Sequence, residues 1–302
     1  MVAAVLAALT LGLAGAPAAT GAASATWKTY FPVFAKDPPA TPTPSPTPDT
    51  ACPATGQSYD LIPTDGRYSG PPPDVNPDLN LTVRGWVDVD ELKGLVNYNG
   101  GTDSGAPQLY SLFGDNRTPT FSSTHRVYDW DWVNNRRGGV LTNWRVTLLG
   151  MATNPGEVIK SPARSGSDIY QGVYYALVVY AEKTRITLHY GRNDYVAPGY
   201  GIHLENVCVD PSLLAKYQQG NAGGRVQLPA LRSNQPLGTA RGRELLAAIR
   251  DTGTFMDPRS QKDWWQGRAA QYEAVGGSIF PVGRAPTPVA TPTPLAAGAP
   301  PR

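Results

Sequence analysis

Histidine, the side chain best suited to acid–base and metal chemistry near neutral pH, is scarce in this sequence. The sequence contains three histidines, His125, His189 and His203. His125 stands four residues before Asp129 in the stretch "STHRVYDWDW", and His203 lies in "YGIHLENV". Imidazole and carboxylate groups can ligate a metal ion or transfer protons. Either use requires a fold that brings such groups together, and His125 and Asp129 can equally form a purely structural hydrogen-bonded pair.

Aromatic residues cluster beside two of the polar stretches. The stretch "VYDWDW" combines tyrosine and tryptophan with acidic residues, and "DPRSQKDWW" combines arginine with adjacent tryptophans. Such side chains can stack on a sugar or peptide ring, although tryptophan in a small β core is more common. The second stretch can also be a strap that packs against the edge of the fold. The candidate binding residues are Tyr128, Trp130, Trp132, Tyr200, Arg259, Trp264 and Trp265.

The elements that must position these residues are mainly strands. The run "VYYALVVYAEKTRITLHYGR" is typical of a β-hairpin with a polar turn. The stretches "LNLTVRGWVDV", "PQLYSLFGD", "YGIHLENVCVD" and "ELLAAIR" predict further strands. In "DPSLLAKYQQGNAGG", Asp210 is a candidate N-cap and Pro211 a first helical residue, which predicts a short helix ending near Gly220. The fold class predicted is therefore mainly β.

Several segments follow one another in an order that is typical of a known family. The stretch "HRVYD" is followed by "GEVIKSPARSG", then by "LHYGRNDYVAPGYGIHL", and finally by "NQPLG", "ELLAAIR" and "GTFMDP". Over about residues 120–260 this order resembles that of the lysostaphin-like (LytM-type) zinc endopeptidases, which cut peptide crosslinks in bacterial cell walls. Val127 stands where the family's H-x-G-x-D motif has glycine. The resemblance implies a small two-sheet β structure of the duplicated-hybrid-motif type with one or two short helices.

The resemblance assigns roles to individual residues and also reveals a departure from the family. His125 and Asp129 occupy the positions of two zinc ligands, and His203 occupies that of an active-site histidine that does not bind the metal. The family's H-L-H motif supplies a catalytic histidine and the third ligand, and here Glu244 and Leu246 stand at those positions. The candidate catalytic residues are thus His203 and Glu244. Because catalytic zinc takes about three protein ligands, we expect no cofactor, with zinc bound at His125 and Asp129 only if the site is retained.

The termini predict an exported protein with proline-rich extensions. Residues 1–25 resemble a signal peptide with a cleavage site at Ala23-Ser24-Ala25. An aromatic arm and a Pro/Thr-rich linker follow at 26–76, a β-rich domain at 77–283 and a proline-rich disordered tail at 284–302. We expect no transmembrane segment after signal cleavage and a secreted or cell-surface location. In an oxidising compartment Cys52 and Cys208 can form a disulfide, or Cys208 can remain a free core thiol.

Composition disfavours one class of partner and leaves three functions open. A formal net charge of +2 argues against nucleic acid. The leading hypothesis is a secreted cell-envelope protein with a lysostaphin-like fold that binds a wall peptide, a glycan or an envelope protein without cleaving it. The first alternative is an active zinc endopeptidase acting on peptidoglycan crosslinks, which requires His125, Asp129 and His203 to converge on one ion. The second alternative is an unrelated β-sandwich adhesion or carbohydrate-binding module.

Overall fold

The computed structural model describes residues 52–268, which form two antiparallel sheets and few helices, so the mainly β class is confirmed. The large sheet has eleven strands and the small sheet has three. The large sheet contains β1 Asp60–Pro63, β2 Trp86–Asp88, β3 Phe121–Asp131, β4 Arg136–Val140, β5 Leu148–Ala152, β7 Ala176–Glu182, β8 Arg185–His189, β9 Tyr200–Glu205, β11 Gln227–Leu231, β13 Glu244–Asp251 and β14 Thr254–Phe255. The small sheet contains β6 Val158–Lys160, β10 Val207–Val209 and β12 Pro236–Ala240.

The order of strands in the large sheet is β1-β11-β7-β8-β9-β13-β5-β3-β2, with β14 paired to β13 and β4 paired to β3. The small sheet has the order β10-β12-β6. Within residues 52–268 the α-helices are α1 Leu81–Arg84, α2 Pro211–Ala222 and α3 Gln261–Trp264, and a 3₁₀ helix spans Leu109–Leu112. In this part of the chain no helix has the length and apolar character needed to cross a membrane.

The central strands of the large sheet are buried on both faces, which explains their continuous apolar sequences. β7 and β8 form the predicted hairpin, and β13 is the predicted core strand, paired with β9 on one side and β5 on the other. One face packs into the main core through residues such as Leu204, Leu245 and Ile249. The opposite face carries a smaller apolar cluster that includes Leu246 and Ala248.

The helix α2 begins where the sequence predicts. The side chain of Asp210 accepts hydrogen bonds from the backbone N of Ser212 at 2.8 Å and of Leu213 at 3.4 Å, and Pro211 occupies the first turn. These bonds satisfy backbone donors that have no partner within the helix. The helix continues past the predicted end at Gly220 and stops at Ala222.

Two stretches predicted as strands adopt other structures. The stretch "LNLTVRGWVDV" forms α1 and then β2, because Asn80 Oδ1 accepts a hydrogen bond from Thr82 N at 3.2 Å and Gly85, with φ of 68°, ends the helical turn. The stretch "PQLYSLFGD" contains the 3₁₀ helix, which buries Leu109 and Leu112 in the main core. Short apolar runs fit a buried helical turn as well as a strand, so their periodicity alone does not distinguish the two.

The folded part begins earlier than the predicted boundary at residue 77. β1 lies in the predicted linker and pairs with β11 at the edge of the large sheet. Tyr59 and Ile62 are buried in the main core. The predictions for the signal peptide at 1–25, for linker residues 26–51 and for residues 269–302 lie outside the described part of the chain.

A disulfide bond joins Cys52 to Cys208, whose Cα atoms are 5.3 Å apart. Cys208 lies in β10, so the bond ties the start of the described chain to the small sheet. Next to it, Thr55 donates from its backbone N and its Oγ1 to Asp210 Oδ2, at 2.6 and 2.7 Å. The carboxylate that caps α2 therefore also holds the segment that follows Cys52.

Candidate functional site

The two histidines named by the resemblance lie in one row across the large sheet, on the face opposite the main core. Directly opposed residues of an antiparallel pair share a face. His203 in β9 lies opposite Ala248 in β13, and His125 in β3 lies opposite Leu148 in β5. The register of β13 with β5 continues this row from Ala248 to Leu148. His203 and His125 are therefore three strand spacings apart, about 14 Å.

Asp129 does not lie beside His125. It follows four residues later in the same strand, about 13 Å away at the rise of a β-strand. Its exposed carboxylate is 3.6 Å from Arg84 Nη1. The structure thus separates the three residues that a rebuilt zinc site needs. Within residues 52–268 no group of three or more His, Cys, Asp or Glu side chains is arranged to hold a metal ion.

The centre of this sheet face is apolar. Leu246, which the resemblance places at a ligand position, is buried in a cluster with Leu81, Leu148, Ala248 and Phe255. Leu81 belongs to α1, so residues 77–84 cover this part of the sheet. A zinc centre needs polar ligands and an open position for water. The cluster around Leu246 provides neither.

His203 is enclosed under the same covering segment. Its Nδ1 is 3.0 Å from Thr187 Oγ1, which donates its own proton to Leu79 O at 2.6 Å. Nδ1 therefore carries the imidazole proton, and Nε2 has no hydrogen-bond partner among the described residues. Burial and, to a lesser degree, the charge of Arg250 lower the pKa of His203 to about 3. The ring is neutral and stacks on Phe255, with 5.9 Å between the ring centroids.

Next to His203, an ion network ties the covering segment to the sheet. Asp78 Oδ1 accepts hydrogen bonds from Arg84 Nη2 at 2.8 Å and from Arg250 Nη1 at 2.7 Å. Both arginine side chains are buried. Arg250 lies in β13, whereas Asp78 and Arg84 belong to residues 77–84. One carboxylate thus connects the cover to a central strand.

A chain of polar side chains lies on the same face of the sheet, towards β2. His125 Nδ1 is 2.8 Å from Asp88 Oδ1, and His125 Nε2 is 2.7 Å from Ser123 Oγ. Ser123 Oγ donates to Glu244 Oε1 at 2.6 Å, and Ser122 Oγ donates to the same oxygen at 2.6 Å. We call Asp88, His125, Ser123 and Glu244 the polar chain. It links β2, β3 and β13 across the intervening strand β5.

Two local features of the backbone produce this arrangement. Phe121 pairs with Met151 and Ser123 pairs with Gly150, so Ser122 is the extra residue of a β-bulge in β3. A bulge redirects side chains, which is why adjacent serines can reach the same carboxylate. A Cβ on Gly150 would lie 2.0 Å from Ser123 Oγ and 2.4 Å from the Glu244 carboxylate. Only glycine at this position leaves room for the two side chains to meet.

The polar chain has three links, and each link needs one proton. A neutral His125 and Ser123 together carry two suitable protons, whereas a protonated His125 and Ser123 carry three. With His125 charged, Nδ1 donates to Asp88, Nε2 donates to Ser123 and Ser123 donates to Glu244. With His125 neutral, the Ser123 proton has two acceptors, His125 Nε2 and Glu244 Oε1.

Three members of this arrangement were missed by sequence reasoning. Asp88 lies 37 residues before His125 and meets it only through the pairing of β2 with β3. Ser122 and Ser123 were not singled out, although Ser123 and His125 have the spacing of two that puts strand residues on one face. That spacing is the one signal that could have identified Ser123.

The aromatic candidates that reach solvent lie on a projecting hairpin, residues 128–140. Here β3 extends past β5 and β2 and pairs, among the described strands, with β4 alone. At the tip, Trp132 is 53% exposed and Val133 is 93% exposed. Asp131 closes the turn, because its Oδ1 and Oδ2 accept from Asn134 N at 3.1 Å and from Asn134 Nδ2 at 2.7 Å.

The flank of the projecting hairpin combines aromatic and basic side chains. The Arg137 guanidinium lies 5.0 Å from the ring centroid of Tyr128, within cation–π range. Trp130 is opposite Arg137 in the ladder and is partly buried. Arg136 and Arg137 are both exposed. The predicted binding residues Tyr128, Trp130 and Trp132 thus share one element.

The other predicted binding residues are in the core, which corrects their assignment. Trp264 and Trp265 are buried, and the indole N–H of each donates to a backbone carbonyl, at 2.9 and 2.8 Å. Arg259 is buried and forms an ion pair with Asp257 at 2.7 Å. Tyr200 is buried against Trp264, with the rings edge to face and 5.7 Å between centroids. The local carbonyls satisfy both indoles, which allows these tryptophans to leave the surface.

Comparison of the chain with protein-family models, with curated proteins and with solved structures finds no match.

Proposed function

We propose that this chain is an extracytoplasmic protein of the cell envelope that binds a wall peptide or glycan through the projecting hairpin and does not cleave it with zinc. The observation that carries the proposal is the exposed tip of this hairpin, where Trp132 and Val133 extend beyond the sheet. The export expected from the sequence would bring this surface into contact with the envelope. We also propose that the two sheets form a fold of the lysostaphin-like type, as the sequence resemblance implies.

The chemistry of the hairpin suits a sugar or peptide ligand. An exposed indole offers a large flat face for a sugar ring or a peptide plane at a small cost in side-chain entropy. Arg136 and Arg137 provide guanidinium groups that can pair with carboxylates. The bonds from Asn134 to Asp131 fix the turn before a ligand arrives. Such preorganisation lowers the entropy lost on binding.

The positions of the family-like residues support a retained scaffold without the metal. His125, Leu246 and His203 fall on one face of neighbouring strands, as an active-site face requires. Leu246, however, lies in an apolar cluster with Leu81. A scaffold can persist while its chemistry changes, so binding without zinc-dependent cleavage agrees with both observations.

The binding proposal predicts a large effect of one tip residue. In cosedimentation with purified peptidoglycan, Trp132→Ala should weaken binding about tenfold or more, because a central tryptophan anchor is typically worth at least about 1.4–2 kcal/mol. Tyr195 is the matched control, since it is an aromatic residue with 51% exposure outside the hairpin. Tyr195→Ala should bind like the unaltered protein. Equal binding by Trp132→Ala would overturn the assignment of the hairpin.

The metal content of the purified protein tests the second part of the proposal. Elemental analysis should find far less than one zinc per chain, because His125 is about 13 Å from Asp129 and about 14 Å from His203. Incubation with crosslinked peptidoglycan should release no cleaved crosslinks. One zinc per chain, lost together with peptidase activity in His125→Ala and Asp129→Ala, would contradict the proposal and establish the zinc endopeptidase.

A further inference from the structure

We propose that Ser123, His125 and Asp88 form a nucleophilic relay that accepts an acyl group from carboxylic esters. This activity goes beyond the proposed binding function and uses a different part of the molecule. In this relay Ser123 is the nucleophile, His125 is the general base and Asp88 is a positioning residue.

The interatomic distances fit these roles. A relay of this kind needs a hydroxyl within about 2.6–3.2 Å of a base, and a third group that orients the base. Ser123 Oγ is 2.7 Å from His125 Nε2, and His125 Nδ1 is 2.8 Å from Asp88 Oδ1. Ser123 is partly exposed, whereas His125 is buried beneath the surface. The imidazole is therefore held in one orientation by a bond to each of its nitrogens, next to a serine that is partly exposed.

Two features of the backbone position the Ser123 hydroxyl. The β-bulge at Ser122 interrupts the regular alternation of β3, and bulges are frequent beside active sites because they redirect side chains. Gly150 leaves the space in which Ser123 Oγ lies, since a Cβ there would be 2.0 Å from that oxygen. Both features concern the same hydroxyl.

The chemical step balances with an ester and water as the only reactants. Ser123 Oγ attacks the carbonyl carbon while its proton passes to His125 Nε2. The bond from the carbonyl carbon to the alcohol oxygen then breaks, and the leaving alcohol takes the proton from His125. A water molecule next attacks the acyl–Ser123 ester, His125 accepts a proton from that water and returns it to Ser123 Oγ, and a carboxylic acid is released.

Glu244 limits this chemistry to reactive esters. Its Oε1 competes with His125 Nε2 for the Ser123 proton, at 2.6 Å against 2.7 Å. Its negative charge also lies close to where an oxyanion would form, which disfavours the transition state. Removal of the charge in Glu244→Gln should therefore speed acylation of Ser123.

The experiment treats the full chain with a fluorophosphonate probe, which reacts with activated serines by displacement of fluoride. Intact mass and peptide mapping then measure the labelled fraction and its position. We expect one label per chain at Ser123 and none in Ser123→Ala. Ser122 is the matched control, because its Oγ also contacts Glu244 at 2.6 Å, whereas the serine bonded to His125 is Ser123. Ser122→Ala should still be labelled.

Further variants distinguish a relay from a merely exposed serine. His125→Gln should reduce the labelling rate at least about a hundredfold, the usual contribution of a general base. Asp88→Ala should slow labelling and Asp88→Glu should restore part of the rate, because a carboxylate there accepts the proton that His125 Nδ1 donates. Circular dichroism of each variant verifies the fold.

The result that would overturn the relay is equally definite. An unlabelled wild-type chain, or labelling that survives in Ser123→Ala or is undiminished in His125→Gln, removes the assignment. Labelling abolished by a zinc chelator also removes it, since the relay uses no metal. The labelling experiments use no wall material, so a negative result would leave the hairpin proposal intact. Equally, a failure to bind peptidoglycan would leave the relay intact.

Discussion

Replacement of Asp78 by asparagine is expected to lower the free energy of unfolding by about 3–5 kcal/mol at neutral pH, because breaking a buried ion pair leaves an uncompensated charge. Asp78 accepts from both Arg84 and Arg250, whose side chains are 4% and 5% exposed. Without the carboxylate, two buried guanidinium groups lie close together. The measurement is chemical denaturation of Asp78→Asn followed by circular dichroism. Asp74→Asn, at an exposed position, is the control and should change stability by less than about 0.5 kcal/mol.

The pH dependence of stability provides a second readout of the same residue. Burial alone would raise the pKa of Asp78, but the charges of Arg250 and Arg84 lower it to about 2 from an ordinary value of 3.8. A depressed pKa in the folded state means that the stabilisation is present above about pH 4 and is lost as the pH falls through about 2. The wild-type protein should therefore lose about 2 kcal/mol over this range from Asp78 alone. Asp78→Asn should lack this component, and an identical acid profile would contradict the assignment.

The elements that the sequence predicts well are those whose local pattern and tertiary role agree. β7, β8 and β13 have long apolar runs because both of their faces are buried. The helix α2 has a cap and a first-turn proline that determine its start. In contrast, α1 is a single turn, and its apolar residues fit a strand equally well. Its helical form depends on the Asn80 cap and on packing against distant strands, which local patterns do not contain.

The candidate site was predictable only in part, for a related reason. Histidine and glutamate are candidate site residues by their chemistry alone, and His125 and Glu244 do belong to the polar chain. Their connection through Ser123 depends on a bulge and on Gly150 in a third strand. The partner of His125 is Asp88 rather than Asp129, because the carboxylate four residues along the strand is too far away. Long-range strand pairing determines these contacts, and a sequence motif does not encode it.

The same reasoning explains the misassigned tryptophans. Adjacent aromatic residues beside arginine and lysine suggest a binding surface, yet Trp264 and Trp265 are in the core. Arg259 forms an ion pair with Asp257, two residues earlier. The indole N–H groups of both tryptophans donate hydrogen bonds to backbone carbonyls in the preceding loop. Polar groups in such a stretch can satisfy one another locally, so their presence does not imply exposure. On the projecting hairpin, in contrast, Trp132 lies at the tip of the turn and is 53% exposed.

Removal of the disulfide is the other change with a large expected effect on stability. The bond between Cys52 and Cys208 spans 156 residues, and closure of so long a loop is worth up to about 5 kcal/mol in the chain-entropy account. The loss in Cys52→Ser should approach this limit without reaching it, because Thr55 still bonds to Asp210 and β1 still pairs with β11. Denaturant unfolding measures the loss.

Cys52→Ser and the double variant Cys52→Ser/Cys208→Ser should lose similar amounts of stability, since each removes the same cross-link. Val226→Ala, at an exposed position, serves as the control. Thiol counting on the denatured, unreduced wild-type protein should find no free thiol, and two free thiols per chain would show that the bond does not form.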